Sequence, residues 1–356
     1  MSLLYTKTKM FHYKEKIDSL PSNINTIMPP IHIRIKPTNV CGHGCWYCAY
    51  KADNLQLGKD MVKKDTIPLD KMMEIIDDAI EMKVKAITFS GGGEPFLYPY
   101  LLQTVKKLAQ SPIQFASLTN GSKLEGEVAE IFAHHGTWVR VSMDGWDDKS
   151  YITYRRTRDG EYTKIMNNMK NFKKLGGKCY LGVSLIIDKD NAPYVYESLK
   201  KLRDIGVSSV KASPCIVSND GNESNEYHKP FFATVREQIE RAKSDLCKDG
   251  FEVFDAYNEL DKKFKKDYTW CPYLQVLHVI GADLNIYPCQ DKAYNLEEGL
   301  LGSIKEQRYI DFWMKNKEKF FKINPSIHCN NHCVANEKNN LLLEYLDADK
   351  NHTMFV

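Results

Sequence analysis

No stretch of this 356-residue sequence approaches the ~18 uninterrupted apolar residues of a membrane span, which excludes a bilayer-crossing helix and any expected membrane partner. The N-terminus carries Lys7, Lys9, Lys14 and Lys16 with no apolar stretch behind them, so a secretory signal is also missing. Internal repeats and long low-complexity segments are absent, and with them repeat architectures and extended tails. Net charge is scarce, at +3, and the lysines alternate with acidic residues along apparent helices such as 161–176 and 261–266. No basic patch interleaved with aromatics stands out, so no nucleic-acid partner is expected. What remains is a globular chain whose 43% apolar residues suffice for a substantial core, as one large domain with an appendage or as two domains.

Cysteine, by contrast, is plentiful. Ten of them in a large chain without a signal peptide point to metal ligation or catalysis in a reducing, cytoplasmic setting more than to a disulfide framework. After a polar lead ending in Met28-Pro29-Pro30, short β-rich runs alternate with amphipathic stretches, the pattern of β/α units around a parallel sheet. Six strands are expected, at 31–36, 86–90, 115–118, 138–142, 180–187 and 209–212. Helices are expected near 69–83, 99–110, 124–135, 161–175 and 192–205, the first opened by Pro68 and Asp70. Beyond about 216 the texture changes to a polar loop (218–226) and a long helix (228–248). The expected division is therefore an N-terminal extension at 1–30, a β/α unit at 31–225, a connecting helix at 226–250, a cysteine-bearing C-terminal unit at 251–335 and a tail at 336–356.

In parallel β/α folds the functional groups gather beyond the C-terminal ends of the strands. Here Cys41, Cys45 and Cys48 follow the first strand, Gly91-Gly92-Gly93-Glu94-Pro95 the second, Thr119-Asn120-Gly121 the third, Asp144-Gly145 the fourth and Pro214-Cys215 the sixth. All of them would face one mouth. Three thiolates this close can hold an iron–sulfur cluster with one iron left open, and an open iron can bind and react with a small molecule. Zinc is the alternative, closed by a fourth ligand such as His43.

The spacing Cys-x3-Cys-x2-Cys resembles the signature of the radical S-adenosylmethionine (radical SAM) superfamily. Gly92, Gly93, Glu94 and Pro95 resemble its Gly-Gly-Glu-Pro motif, which receives the amino group of the methionine moiety. Tyr47 stands where relatives have an aromatic residue whose backbone contacts the adenine, while Asn120 and Ser142 lie in the segments that match the family at strands three and four, the latter where relatives contact the ribose. Arg155 or Arg156 would pair with the cofactor carboxylate. The resemblance implies a partial (β/α)6 TIM-like barrel, a 4Fe–4S cluster on Cys41, Cys45 and Cys48, S-adenosylmethionine bound to its open iron, and reductive cleavage to a 5′-deoxyadenosyl radical that abstracts hydrogen from substrate. An external electron donor such as flavodoxin or ferredoxin is implied with it.

Cys271, Cys289, Cys329 and Cys333 form a second set, with gaps of 18, 40 and 4 positions. A hairpin over Val276 to Tyr287, around Gly281-Ala282-Asp283, would bring Cys271 and Cys289 together. This resembles the twitch domain, a shortened relative of the SPASM domain that carries one auxiliary 4Fe–4S cluster; a structural zinc site is the competitor. Four-cysteine ligation favours electron transfer, hence net oxidation. The expected function is a radical SAM oxidoreductase acting on a small polar, sugar- or aminocyclitol-like molecule. The runners-up are an epimerase with a thiol hydrogen donor, for which Cys215 is the candidate, and a ribosomal-peptide maturase, disfavoured by the short N-terminal lead. A non-catalytic iron–sulfur or zinc scaffold is the reading from another class.

Overall fold

A computed structural model describes residues 5–52, 55, 58–257, 264–352 and 354. Of the expected helix at 261–266, residues 261–263 lie outside the described residues, and 264–266 are not helical. All six expected strands form, as β1 (His32–Ile35), β2 (Ala86–Phe89), β3 (Gln114–Thr119), β4 (Trp138–Met143), β5 (Tyr180–Ile187) and β6 (Ser209–Pro214). They pair in parallel in chain order, and the five expected helices cover their outer face. Alternation explains the layering. Ile33, Ile35, Ile87, Phe89, Val139, Val141, Leu181 and Val183 join one core with Met72, Ile75, Val105, Phe132, Ile165 and Leu199 of the helices. Each such aliphatic side chain contributes about 1.5–3 kcal/mol by leaving water.

Three features depart from the sequence reading. The polar stretch expected as loop is helical at Gly221–His228, and the long helix runs only over Phe232–Leu246. That helix is a crossover to a seventh parallel strand, β7 (Glu252–Asp255), which pairs with β6. The cysteine-bearing C-terminal region also continues the sheet: β8 (Leu277–Ile280) pairs in parallel with β1, β9 (Asn285–Tyr287) turns back on β8, and β10 (Gly302–Ser303) follows β9. The expected hairpin is present. Its tight turn closes with Gly281 N–H on Asn285 O (2.9 Å), and a Cβ at Gly281 would fall 2.2 Å from Asp283 Oδ1.

The lead and the tail meet beneath the sheet, where Met10, Ile17 and Leu20 pack with Val276 and with Leu342 of the helix Asn336–Asp347. No helix among the described residues is long and apolar enough to cross a membrane.

Candidate active site

The loop carrying Cys41, Cys45 and Cys48 has little regular structure of its own, so its neighbours hold it. Gly44 N–H donates to Arg155 O (2.7 Å) and Trp46 N–H to Tyr154 O (3.3 Å), both carbonyls being in the last turn of a helix over Asp148–Arg155. Sequence reasoning missed this helix, although Asp147 and Ser150 form a reciprocal capping box at its start. Within the loop, Cys48 N–H donates to Cys45 O (3.2 Å) and Ala52 N–H to Cys48 O (2.8 Å). The three thiols lie within electrostatic reach of one another, and burial pushes Cys41 above the ordinary thiol range and Cys45 up to about 11.

The glycine-rich turn after β2 packs against the entry to that loop. A Cβ on Gly92 would fall 2.4 Å from Asn39 Oδ1, and one on Gly93 would fall 2.2 Å from Val40 O. Gly93 is therefore required by close contact between two backbone segments, and Gly92 by the side chains of Asn39, Met61 and Tyr294 packed against it. Gly93 N–H and Glu94 N–H complete the contact by donating to Thr38 O and Val40 O. The Glu94 side chain is buried and accepts from Thr119 Oγ1 (2.6 Å), Asn120 N (2.6 Å) and Phe96 N (3.0 Å). Burial raises its pKa, while these donors oppose the rise.

Arg155, rather than Arg156, turns inward. Its Nε donates to Asp144 Oδ1 (2.9 Å) and its Nη2 to Ser142 Oγ (3.1 Å). Burial is the strongest single influence and works against its charge, but Asp144, Tyr151 and Cys45 together hold the pKa well above the ordinary value. Asp144 also accepts from the Tyr47 hydroxyl, so the tyrosine side chain braces this ion pair. Arg156 caps the helix in the left-handed region at φ 49°.

All these groups line one cavity of about 360 Å³ at the C-terminal ends of the strands. It is bounded by Cys41, Cys45, Cys48, Tyr47, Gly92, Gly93, Glu94, Pro95, Asn120, Ser142 and Arg155, with Arg140 and Ser184 deeper on β4 and β5. Arg140 Nε is buried with no hydrogen-bond partner among the described residues, and its guanidinium lies over the rings of Tyr5 (5.0 Å) and Trp138 (5.4 Å), which do not line the cavity. His43 is turned away from the thiols, its Nε2 paired with Ser122 Oγ (2.9 Å). Cys215 is not brought into the cavity. It lies buried at the end of β6, where burial raises the thiol and its carbonyl accepts from His228 Nε2 (2.8 Å).

The second cysteine set also converges. Cys271, Cys289, Cys329 and Cys333 are within electrostatic reach of one another, and burial pushes Cys271 to about 11 and Cys333 to about 12. Asn339 of the tail helix contacts Cys271 Sγ (3.3 Å from Nδ2) and accepts from Tyr273 N (2.9 Å), so the tail is part of this site. The cations Lys266, Lys292 and Lys36 surround the set. Among the described residues, no group of three or more His, Cys, Asp or Glu side chains is placed to hold a single metal ion. Seven thiols in two groups fit iron–sulfur clusters in their donor chemistry: soft, half-buried sulfur ligands beside basic side chains that balance the anionic charge of thiolates.

Residues 35–202 match the family model described as the Radical SAM superfamily, and the chain carries a radical SAM domain there. The cofactors that define this superfamily are a 4Fe–4S cluster and S-adenosylmethionine. An S-adenosylmethionine-dependent nucleotide dehydratase of Lacinutrix mariniflava is 29% identical over 121 residues, which is 34% of this chain and 25% of that protein. A tungsten-containing aldehyde ferredoxin oxidoreductase cofactor-modifying protein of Pyrococcus furiosus is 22% identical over 283 residues, 71% of this chain and 74% of that protein. The chain thus spans a quarter of the first relative's length and about three quarters of the second's. Among solved structures, Streptococcus suis SuiB bound to precursor peptide SuiA superposes with a TM-score of 0.62 at 15% identity, covering 88% of this chain and 71% of that one. That likeness extends the shared fold beyond the barrel into the C-terminal region.

Proposed function

We propose that the protein is a radical SAM oxidoreductase in which Cys41, Cys45 and Cys48 hold the S-adenosylmethionine-binding 4Fe–4S cluster, and Cys271, Cys289, Cys329 and Cys333 hold an auxiliary 4Fe–4S cluster that accepts the second electron of a substrate oxidation. The convergence of four half-buried thiols drawn from a span of 62 sequence positions carries this reading. When bound, the first cluster and S-adenosylmethionine supply a 5′-deoxyadenosyl radical, the reduction being fed by an external donor such as flavodoxin or ferredoxin.

The chain's own residues bind, orient and shield. Arg155 and Glu94 present opposite charges across the cavity, matching the carboxylate and amino groups of an amino acid moiety. Tyr47 and Ser142 hold Arg155 and its partner Asp144 in position, so the cationic group is fixed before ligand arrives. Asn120 offers a side-chain amide on the β3 rim, and Pro95 stiffens the turn after Glu94. Ser142 and Ser184 on the cavity wall support the reading of a small polar substrate of the sugar or aminocyclitol kind.

Anaerobic reconstitution with iron and sulfide, then dithionite and S-adenosylmethionine, tests the reading. About eight irons per chain and release of 5′-deoxyadenosine are expected. Deuterium transfer from labelled sugars, aminocyclitols or peptides into 5′-deoxyadenosine identifies the substrate class. One zinc and no iron retained in a Cys41, Cys45, Cys48→Ala variant would remove the electron acceptor, and no 5′-deoxyadenosine from well-loaded protein would favour a scaffold.

A further inference from the structure

One buried cation sits between the two thiol sites. Lys36 directly follows β1, in step with His32 and Arg34 of that strand, and is 1% exposed. Its Nζ donates to Tyr50 Oη (2.6 Å) and to Gly91 O (2.9 Å), and Tyr50 Oη donates onward to Gln290 O (2.8 Å). Tyr50 is two residues after Cys48, Gly91 opens the glycine-rich turn, and Gln290 follows Cys289. Lys36, with Tyr50 as its relay, thus ties three loops that sequence separates by up to 240 positions. The Nζ lies 4.2 Å from the Tyr50 ring centroid and 6.0 Å from that of Tyr294, and both of its acceptors are uncharged. Burial and then Arg34 pull its pKa down to about 7, while Asp291, Cys48 and Cys289, all within its electrostatic reach, favour the charged form, as an anionic group on either thiol set would. Among the described residues the other cations facing these thiols serve one set each: Arg155 acts on Cys45, Lys51 on Cys41, Lys266 on Cys289, Cys329 and Cys333, and Lys292 on Cys329.

We propose that Lys36 is a shared positioning and charge-setting residue, which locks the two cysteine sites together through Tyr50 and Gln290 and favours the reduced form of the iron–sulfur cluster in each. The second half of this proposal rests on the auxiliary-cluster reading above. The reason is electrostatic. Reduction adds a negative charge to a cluster, and a cation held nearby in a poorly polarisable interior stabilises that charge far more than it would in water. Because Lys36 stands between the sites, removing its charge lowers both potentials in the same direction.

The test uses the full-length, reconstituted protein with Lys36→Met, which removes charge and hydrogen bonds, and Lys36→Gln, which removes charge but keeps a donor. Redox titrations followed by electron paramagnetic resonance read each cluster, and the Cys41, Cys45, Cys48→Ala background isolates the second. Each variant is expected to show at least a tenfold lower reduced-to-oxidised ratio at fixed potential, about 59 mV for one electron, at both sites. Tyr50→Phe, which keeps the ammonium, is expected to change the potentials much less. Unmoved potentials in iron-replete variants, or a shift at one site alone, would overturn the proposal, as would loss of iron from both Lys36 variants, which would make the residue purely structural. If wild-type protein holds about four irons and the triple-cysteine background none, the auxiliary reading fails instead, and the first site still reports whether Lys36 sets its potential.

Discussion

Replacing Gly93 by alanine isolates the contact between the glycine-rich turn and the cysteine loop. The added methyl would lie 2.2 Å from Val40 O and 2.4 Å from Asn39 C, against backbone on both counts, so no rotamer change relieves it. Ordinary contact demands a separation larger by about 1 Å, and the segment that must yield leads straight into Cys41. Overpacking of this kind costs roughly 1–3 kcal/mol in stability. A displacement of about 1 Å at a reacting centre costs on the order of 100-fold in rate, close to 2.7 kcal/mol of barrier. Gly93→Ala is therefore expected to fold, to keep its second cluster, and to cleave S-adenosylmethionine at about one hundredth of the wild-type rate. Iron content, melting temperature and 5′-deoxyadenosine release under dithionite measure the three parts. Wild-type release from Gly93→Ala would refute the argument that this backbone contact positions the cysteine loop.

Arg155→Met strands the Asp144 carboxylate, whose side chain is fully buried, and is expected to cost about 3–5 kcal/mol in chemical denaturation along with S-adenosylmethionine binding; unchanged stability would contradict the pairing. His278 is fully buried, stacked 4.3 Å from Trp313, and burial holds its pKa well below the ordinary value. Protons then bind the unfolded chain more readily, so this histidine's contribution is present above pH 6.5 and is lost as pH falls, by about 1.4 kcal/mol per unit. His278→Phe should flatten that slope in urea titrations at pH 7 and 5.5, and an unaltered slope would count against it. Cys215→Ala is expected to leave turnover within about twofold and stability within about 1 kcal/mol. Loss of turnover, or of solvent deuterium in product, would instead identify Cys215 as a hydrogen donor.

The barrel was legible because its strands are β-branched runs separated by well-formed helical periods, and the cavity was legible because each functional loop directly follows its strand. Interactions without a local signature were not. β8 pairs with β1 across more than 240 residues, and nothing near Leu277 or His32 advertises a parallel partner. β7 was hidden because Glu252–Asp255 is four residues long and half charged. The helix at Asp148–Arg155 is too polar to show a hydrophobic stripe, yet its Asp147 and Ser150 cap was readable. Lys36 and Asn339 look like ordinary polar residues in sequence, and only the folded chain brings them to the thiols.

The junction of β8 with β1 also bears on how this protein can be taken apart. Because residues 277–303 supply three strands beside the first barrel strand, the cysteine-rich end is no detachable module. Ending the chain near 257 would strip β1 of one of its two neighbours, β8, and leave unpaired amides and carbonyls along a sheet margin, an invitation to intermolecular strand addition. Transplanting the barrel into another scaffold therefore requires carrying this borrowed border along with it.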